Sequence, residues 1–185
     1  PFSVVLLDEL EKAHPNINNL FLQVLDEGYL TDDYGEKTSF LNSIIIATSN
    51  AGSEFIREKI KEGIDEKELE SNLIEFVLKN HIFSPEFINR FDAVVVFTPL
   101  TKEDLFKVAR IELGELNKKL KEKQLEIQIT DELLARLAEL GFDPVFGARA
   151  LKRTINEKIE DLITQGILEN KYRSGEKIII NPMML

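Results

Sequence analysis

The chain has 185 residues, 43% of them hydrophobic, with a formal net charge of −10 from 23 basic and 33 acidic residues. This length suffices for one or two compact cores. The acidic balance argues against nucleic-acid binding, which depends on neutralising phosphates, and against a polybasic membrane surface. The chain contains no cysteine, which excludes disulfides and thiol chemistry and fits a reducing compartment, so we expect a cytoplasmic protein.

The N-terminus predicts that this sequence belongs to a longer one. The chain begins at Pro1-Phe2 without a methionine and enters an apolar run at once, which is unusual for a natural start. We find no signal peptide and no apolar run that approaches the ~18 residues of a membrane span.

The first 99 residues predict an α/β domain with a parallel sheet. Three short β-branched and apolar runs have the composition of strands buried on both faces, namely Ser3–Leu7, Ser43–Thr48 and Ala93–Phe97. Helical spacing and turn residues fill the intervals. The intervening segments are a helix over 16–26 ended by Gly28, a hairpin over 28–40, helices over 54–62 and 66–80, and a short helix beginning at Ser84-Pro85. Such alternation favours parallel strands.

A boundary is predicted around Pro99, so that residues 100–185 form a small, helix-rich α+β domain. Helix caps and apolar spacing define its elements. These are a helix from Thr101 to about Lys123, a half-exposed strand over Leu125–Ile129, a helix from Thr130 or Asp131 to Gly141, a long helix over Ala148–Leu168, and a strand over Lys177–Ile180.

The acidic pair Asp8-Glu9 follows the first predicted strand. Ligands of open α/β sheets bind at the carboxyl ends of the strands. An aspartate there can hold Mg²⁺ through water, and an adjacent glutamate can orient and deprotonate an attacking water. A solvated strand end followed by a helix cap is an equally good explanation of the pair taken alone.

Three further polar residues lie where a nucleotide site would need them. Asn50 ends the second predicted strand and can position the same water, although a simple turn asparagine explains it as well. Arg90 precedes the third predicted strand and can stabilise transition-state charge across a subunit boundary, or form a surface pair with Asp92 or Glu86. Arg149 begins a helix, where the helix dipole disfavours a cation, so a phosphate partner would explain its position.

Taken together, these residues resemble the Clp family of AAA+ unfoldases. The resemblance rests on long strings between Leu6 and Arg153: LLDELEKAHP, FLQVLDEGYLTD, ATSNAGS, SPEFINRFDAVVVF and GFDPVFGARALKR. It implies the later part of a P-loop-type AAA+ domain in residues 1–99 and a small C-terminal domain in 100–185.

The resemblance also implies roles for the candidate site residues. Asp8 and Glu9 take the Walker B roles of Mg²⁺ support and water activation. Asn50 matches sensor 1, Arg90 the arginine finger that acts on the neighbouring subunit, and Arg149 sensor 2. The cofactors so implied are ATP and Mg²⁺.

One expected motif of the family is missing from the sequence. A Walker A loop requires G-x-x-x-x-G-K-[ST], and the nearest string, Gly35-Glu36-Lys37-Thr38, does not match it. We therefore expect the isolated chain neither to bind ATP tightly nor to hydrolyse it. It would then act alone only as an inactive oligomerisation or binding module.

For the intact protein, the resemblance favours a ClpB-type disaggregase: a homohexameric ATPase that threads unfolded or aggregated polypeptide through its pore. The alternative is the ATPase subunit of a Clp protease, which feeds a compartmental peptidase. Such subunits carry an Ile/Val/Leu-Gly-Phe/Leu tripeptide between sensor 1 and the arginine finger. The interval 51–83 contains Gly63 in Glu62-Gly63-Ile64 and no such tripeptide, which favours the disaggregase.

Overall fold

The computed structural model describes residues 2–173 and 175–185, with the side chain of Glu66 excepted. Pro1, where the predicted first domain begins, lies outside these described residues. The chain divides into two compact units, 1–98 and 99–185, which are described separately. Within the described ranges, no helix combines the length and apolar character needed to cross a membrane.

The first unit combines a parallel strand pair, a hairpin and four helices. In chain order its elements are β1 (Ser3–Leu7), α1 (Pro15–Glu27), β2 (Tyr29–Thr31), β3 (Lys37–Ser39), β4 (Ser43–Ala47), α2 (Ser53–Lys61), α3 (Glu66–Lys79) and α4 (Pro85–Ile88). β2 and β3 form the predicted antiparallel hairpin. Gly28 ends α1 in the left-handed conformation, with φ of 72°, as its position after the apolar repeat predicted.

β1 and β4 pair in parallel, with Leu7 opposite Ala47, which confirms the predicted strand direction. The prediction that both strands are buried on both faces is wrong. One face packs on the helices, whereas alternate side chains on the other face remain exposed. Their exposed fractions are 65% for Val4, 60% for Leu6, 64% for Ile44 and 47% for Ile46.

The predicted third strand, Ala93–Phe97, is not a strand in the structure. Its apolar composition suits a central strand, but a strand also requires a neighbour for its backbone hydrogen bonds. Among the described residues no strand pairs with it. Ala93–Val95 instead line a cavity of about 180 Å³, together with residues that include Ala47 and Thr48 at the end of β4.

Helices and aromatic rings form the core of the first unit. Phe87 in α4 is 2% exposed. Its ring lies 5.8 Å from that of Phe83 and 5.3 Å from that of Phe91, centroid to centroid. The N-cap Ser84 accepts a hydrogen bond from the Phe87 backbone, so the short helix is fixed at its start and by its buried ring.

The second unit is a helical cluster with a two-stranded parallel sheet. Its elements are α5 (Lys102–Lys121), β5 (Glu126–Ile127), α6 (Asp131–Leu140), α7 (Ala148–Ile155), α8 (Asp161–Leu168) and β6 (Lys177–Ile178). Leucine and isoleucine side chains of all four helices and both strands form one buried core. Thr101 caps α5 through a capping box with Asp104, and Thr130 caps α6.

The single long helix predicted over Ala148–Leu168 is interrupted. A π-helical turn over Asn156–Glu160 separates α7 from α8 without ending the helical path. Ile155, Ile159 and Ile163, before, within and after this turn, are all buried in the core. Apolar spacing alone does not distinguish such a turn from an ordinary α-helix.

Candidate functional site

Asp8, Glu9 and Asn50 lie together at the carboxyl edge of the β1–β4 pair. The backbone ladder continues past both strands, since the Thr48 N–H donates to the Leu7 carbonyl at 2.8 Å. The Leu10 N–H then donates to the Thr48 carbonyl at 2.9 Å. The two segments that follow the strands are therefore held side by side, as expected for parallel strands.

The Glu9 carboxylate is bracketed by two donors. Asn50 Nδ2 lies 3.2 Å from Oε1, and Lys12 Nζ lies 2.7 Å from Oε2. Glu9 itself adopts the left-handed conformation, with φ of 53° and ψ of 49°, which is uncommon outside glycine. Its backbone N–H donates to Thr48 Oγ1 at 3.1 Å. The chain thus turns sharply after the strand and presents the carboxylate at the sheet edge.

Asp8 accepts a hydrogen bond at Oδ1 from the Thr48 hydroxyl. Thr48 therefore bridges both acidic residues, because the same hydroxyl oxygen accepts from the Glu9 backbone. Neither Thr48 nor Lys12 was predicted from the sequence as a site residue. Only their positions in the sequence could have indicated a role: Thr48 directly precedes Ser49-Asn50, and Lys12 lies three residues after Glu9.

Glu11 ties the segment after β1 to the segment after β4. Burial raises the pKa of this carboxyl, but hydrogen bonds from the Ser49 side chain and from the backbone of Glu11 and Asn50 outweigh it. With the nearby Lys12 charge, they hold the pKa of Glu11 below its ordinary value of 4.5. The lowered pKa favours the ionised form of Glu11 beside the candidate site.

The donor set limits the kind of metal that the edge can hold. Among the described residues no group of three or more histidine, aspartate or glutamate side chains forms a metal cluster. Asp8 offers an exposed carboxylate at the sheet edge. A lone carboxylate fits Mg²⁺, which keeps most of its waters and takes further oxygens from a phosphate ligand.

Arg90 lies in the turn after α4, where its guanidinium group forms an ion pair with Asp26 of α1, with Nε 2.6 Å from Oδ1. The surface pairs considered from the sequence, with Glu86 or Asp92, are replaced by this pair across 64 positions of the chain. Asp26 was not recognised in the sequence, because a contact between the end of α1 and the turn after α4 has no local signal.

Arg149 is the second residue of α7 and is exposed. The loop before it is fixed by Asp143, whose Oδ1 accepts from the backbone N–H groups of Val145 at 2.7 Å and Phe146 at 2.8 Å. These bonds lower the pKa of the Asp143 carboxyl. Gly147 has φ of 49° and ψ of −125° where the loop enters the helix, so glycine is favoured at that position.

Known protein families match the two halves of the chain separately. A profile described as "AAA domain (Cdc48 subfamily)" matches residues 1–94, and one described as "C-terminal, D2-small domain, of ClpB protein" matches residues 100–180. The chain belongs to the Clp family of AAA+ proteins. The resemblance inferred from its motifs is thereby confirmed.

Individual relatives agree with this assignment. The chain is 42% identical over 181 residues to "Chaperone protein ClpB" of Vibrio cholerae, covering 98% of this chain and 21% of that protein. It is 44% identical over 180 residues to "ATP-dependent Clp protease ATP-binding subunit ClpE" of Bacillus subtilis, covering 97% of this chain and 26% of the relative. The Clp relatives are thus several times longer than the present chain.

A solved structure shows the same fold. The chain matches the structure titled "S. cerevisiae Hsp104:casein complex, Extended Conformation" with a TM-score of 0.83 and 34% sequence identity. The match covers 96% of this chain and 30% of that one. The predicted fold class, an α/β AAA+ domain followed by a helix-rich one, is confirmed.

Proposed function

We propose that the chain is the later part of an ATPase module in a hexameric, ATP-dependent protein disaggregase. The observation that carries this proposal is the Glu9 carboxylate, bracketed by Asn50 and Lys12 at the carboxyl edge of a parallel strand pair. Such an edge is where α/β proteins bind nucleotides. The ClpB and Hsp104 similarities supply the class of reaction and the polypeptide substrate.

In this proposal the acidic pair divides two tasks. ATP would supply the electrophilic γ-phosphate, and Mg²⁺ would neutralise part of the phosphate charge. Asp8 would hold the ion through water, and the Thr48 hydroxyl orients its carboxylate. Glu9 accepts the proton of the attacking water, and the Asn50 amide holds both the carboxylate and that water in line.

Lys12 contacts the carboxylate of the proposed base, Glu9. Its ammonium group lies 2.7 Å from Glu9 Oε2 and donates a hydrogen bond to it. Oε2 is thus occupied, and Oε1 accepts a hydrogen bond from Asn50. The proton of the water goes to the carboxylate as the hydrogen bond from Asn50 or Lys12 lengthens.

The two arginines act on the phosphates from other directions. Arg90 is the arginine finger and contacts the γ-phosphate bound by the neighbouring subunit, whereas Arg149 is sensor 2 and contacts the nucleotide of its own module. Residues 1–99 then form the C-terminal part of the large AAA+ subdomain, and 100–185 form the small one. The match of separate profiles to 1–94 and 100–180 supports this division.

The exposed sheet face supports the view that the first unit is one part of a larger sheet. Val4, Leu6, Ile44 and Ile46 form a row of apolar side chains of the kind that α/β proteins cover with helices. A cavity of about 180 Å³, lined by residues that include Ala47 and Ala93–Val95, shows that packing beside the end of β4 is incomplete. Because the sequence contains no Walker A loop, we expect ATP hydrolysis only in the full-length protein.

A second candidate is the ATPase subunit of a Clp protease, which the 44% identity to ClpE favours. Both candidates predict a cytoplasmic homohexamer that acts on unfolded polypeptide. They differ in whether the full-length protein captures a compartmental peptidase in an ATP-dependent manner. Lack of capture in a pull-down supports the disaggregase, and tight capture supports the protease subunit.

The catalytic assignment is tested with Glu9→Gln in the full-length protein. We expect ATP binding to persist while turnover falls by about 10²-fold or more, because glutamine cannot accept the proton. Equilibrium nucleotide binding and steady-state phosphate release measure the two effects. Glu54→Gln is the matched control, since Glu54 is an exposed acid of the same unit that pairs only loosely with Arg57, at 3.9 Å. Normal turnover in the Glu9 variant would contradict the assignment.

A further inference from the structure

The Arg90–Asp26 pair joins two elements distant in sequence by a single short contact. Arg90 Nε lies 2.6 Å from Asp26 Oδ1, and the two side chains are 42% and 36% exposed. An ion pair of this exposure contributes little to stability. We therefore consider its effect on the orientation of the arginine side chain rather than its effect on stability.

The backbone of Arg90 is already fixed without Asp26. Its N–H donates to the Phe87 carbonyl at 3.2 Å, and the Phe87 ring is buried between Phe83 and Phe91. The long arginine side chain, in contrast, has several rotatable bonds and rises from a partly exposed turn. Asp26 supplies the contact that selects one direction for the guanidinium group.

Asp26 occupies a position that its own helix does not favour. It lies in the last turn of α1, one residue before Glu27 ends the helix, where the negative end of the dipole disfavours an anion. Glu27 meets Gln23 of the same helix at 3.4 Å. The cation that offsets the charge of Asp26 comes from Arg90.

The contact lies at the inner end of the guanidinium group. Asp26 approaches Arg90 at Nε, and the two terminal amino groups form a planar fork that can match two phosphate oxygens. We propose that Asp26 is the positioning residue of Arg90. It holds Nε so that the fork points outward to the γ-phosphate in the neighbouring subunit. This inference rests on the proposed role of Arg90 as the arginine finger.

The test uses four variants of the full-length hexamer: Asp26→Asn, Arg90→Ala, the double variant and the control Glu27→Gln. Arg90→Ala should lower kcat for ATP by about 10³-fold or more, the usual effect of a lost arginine finger. Asp26→Asn should lower kcat by about 10-fold to 100-fold through misplacement of the fork. The KM for ATP should stay within about twofold, because the contact acts in the transition state.

Three comparisons separate positioning from a general structural role, the third of them with a fifth variant, Asp26→Glu. In the Arg90→Ala background, Asp26→Asn should have no further effect on kcat, since the group that it acts through is gone. Glu27→Gln removes the same charge from the neighbouring position and should leave kcat within about twofold of the wild type. Asp26→Glu, which keeps the charge, should restore much of the activity that Asp26→Asn loses.

Each contrary outcome has a distinct meaning. Unchanged or higher kcat in Asp26→Asn would overturn the inference, the higher value indicating that Asp26 restrains Arg90 instead. An equal loss in both backgrounds would make Asp26 a structural residue. Full activity of Arg90→Ala would overturn the arginine-finger role and the inference with it, whereas the Glu9→Gln result would still decide the proposed ATPase site.

Discussion

The two units differ in how completely they bury their apolar side chains. In the second unit, leucines and isoleucines from four helices and two strands converge on one core, with Leu105, Leu133 and Leu137 fully buried. In the first unit, a row of apolar side chains on β1 and β4 faces solvent. The second unit thus has a continuous core, although some of its apolar side chains, such as Ile111, Leu168 and Ile179, are also exposed. The first unit differs in exposing a row of apolar side chains on one face of its strand pair, as in a sheet that other elements cover.

The candidate site lies in the first unit. The residues that bracket Glu9 stand at the edge of the strand pair, one face of which remains exposed. Arg149 belongs to the second unit, as the second residue of α7. We infer that further chain covers the exposed face of the first unit.

The largest expected difference between the units concerns core leucines. Leu137→Ala removes a fully buried side chain from the second unit and should lower the free energy of unfolding by about 2–5 kcal/mol. Leu6→Ala makes the same chemical change on the exposed face of β1 and should change it by less than about 0.5 kcal/mol. Urea denaturation of the 185-residue chain measures both. Equal losses would show that the face of β1 is buried in solution.

Two glycines test how tightly the second unit is packed. A Cβ at Gly141 would lie 2.7 Å from the Leu151 Cα, so Gly141→Ala should destabilise by about 1–3 kcal/mol. Gly114, within α5, has no atom within 4 Å of such a Cβ, and Gly114→Ala should stabilise by about 0.5–1 kcal/mol. Thermal and urea unfolding give the two signs. A tolerated Gly141→Ala would contradict close packing of α6 on α7.

Helix caps provide a smaller comparison between the units. Thr101→Ala removes the capping box of α5, whose two backbone contacts with Asp104 are both 3.1 Å, and should cost about 1 kcal/mol. Ser84→Ala removes one bond, at 3.2 Å, from the four-residue α4 and should cost less than Thr101→Ala does. Amide exchange in the first turn of each helix reports the loss. The reverse order of the two costs would indicate that α4 holds the first unit together.

The smallest expected effect is on the stability of the second unit at acidic pH. Hydrogen bonds from the Thr101 side chain and backbone lower the pKa of Asp104, and the N–H groups of Phe146 and Val145 lower that of Asp143, both from an ordinary 3.8. A depressed folded pKa stabilises the second unit above the unfolded value, and the contribution is lost as the pH falls through and below about 4. Asp143→Asn should therefore flatten the fall of Tm between pH 5 and pH 3. An unchanged slope would exclude Asp143 as a contributor.

Local sequence signals predicted most of the fold because each depends on neighbouring residues. Gly28 after an apolar repeat, Thr101 three positions before Asp104, and two β-branched runs followed by polar residues were all sufficient. The same signals failed at Ala93–Phe97. Its composition matches a buried strand, but strand formation depends on a partner, which no local pattern reports. The π turn after Ile155 escaped detection for a related reason, since it is fixed by core packing.

The candidate site was predicted at the level of residues on one edge but not at the level of their contacts. Asp8, Glu9 and Asn50 follow neighbouring strands, so their proximity followed from topology. The roles of Thr48 and Asp26 depend on side chains that meet across 40 and 64 positions of the chain. Such pairs are set by tertiary structure, and only coordinates reveal them.

We infer that further chain covers the first unit, which bears the candidate site, whereas the core of the second unit forms without it. Hydrogen exchange, compared between the 185-residue chain and the full-length ATP-bound protein, tests it most directly. We predict that the amides of Ala93–Phe97 exchange freely in the chain and become protected in the full-length protein. The amides within α5 and α6 should be equally protected in both. Protection of Ala93–Phe97 in the chain alone, or of α5 and α6 only in the full-length protein, would contradict the account.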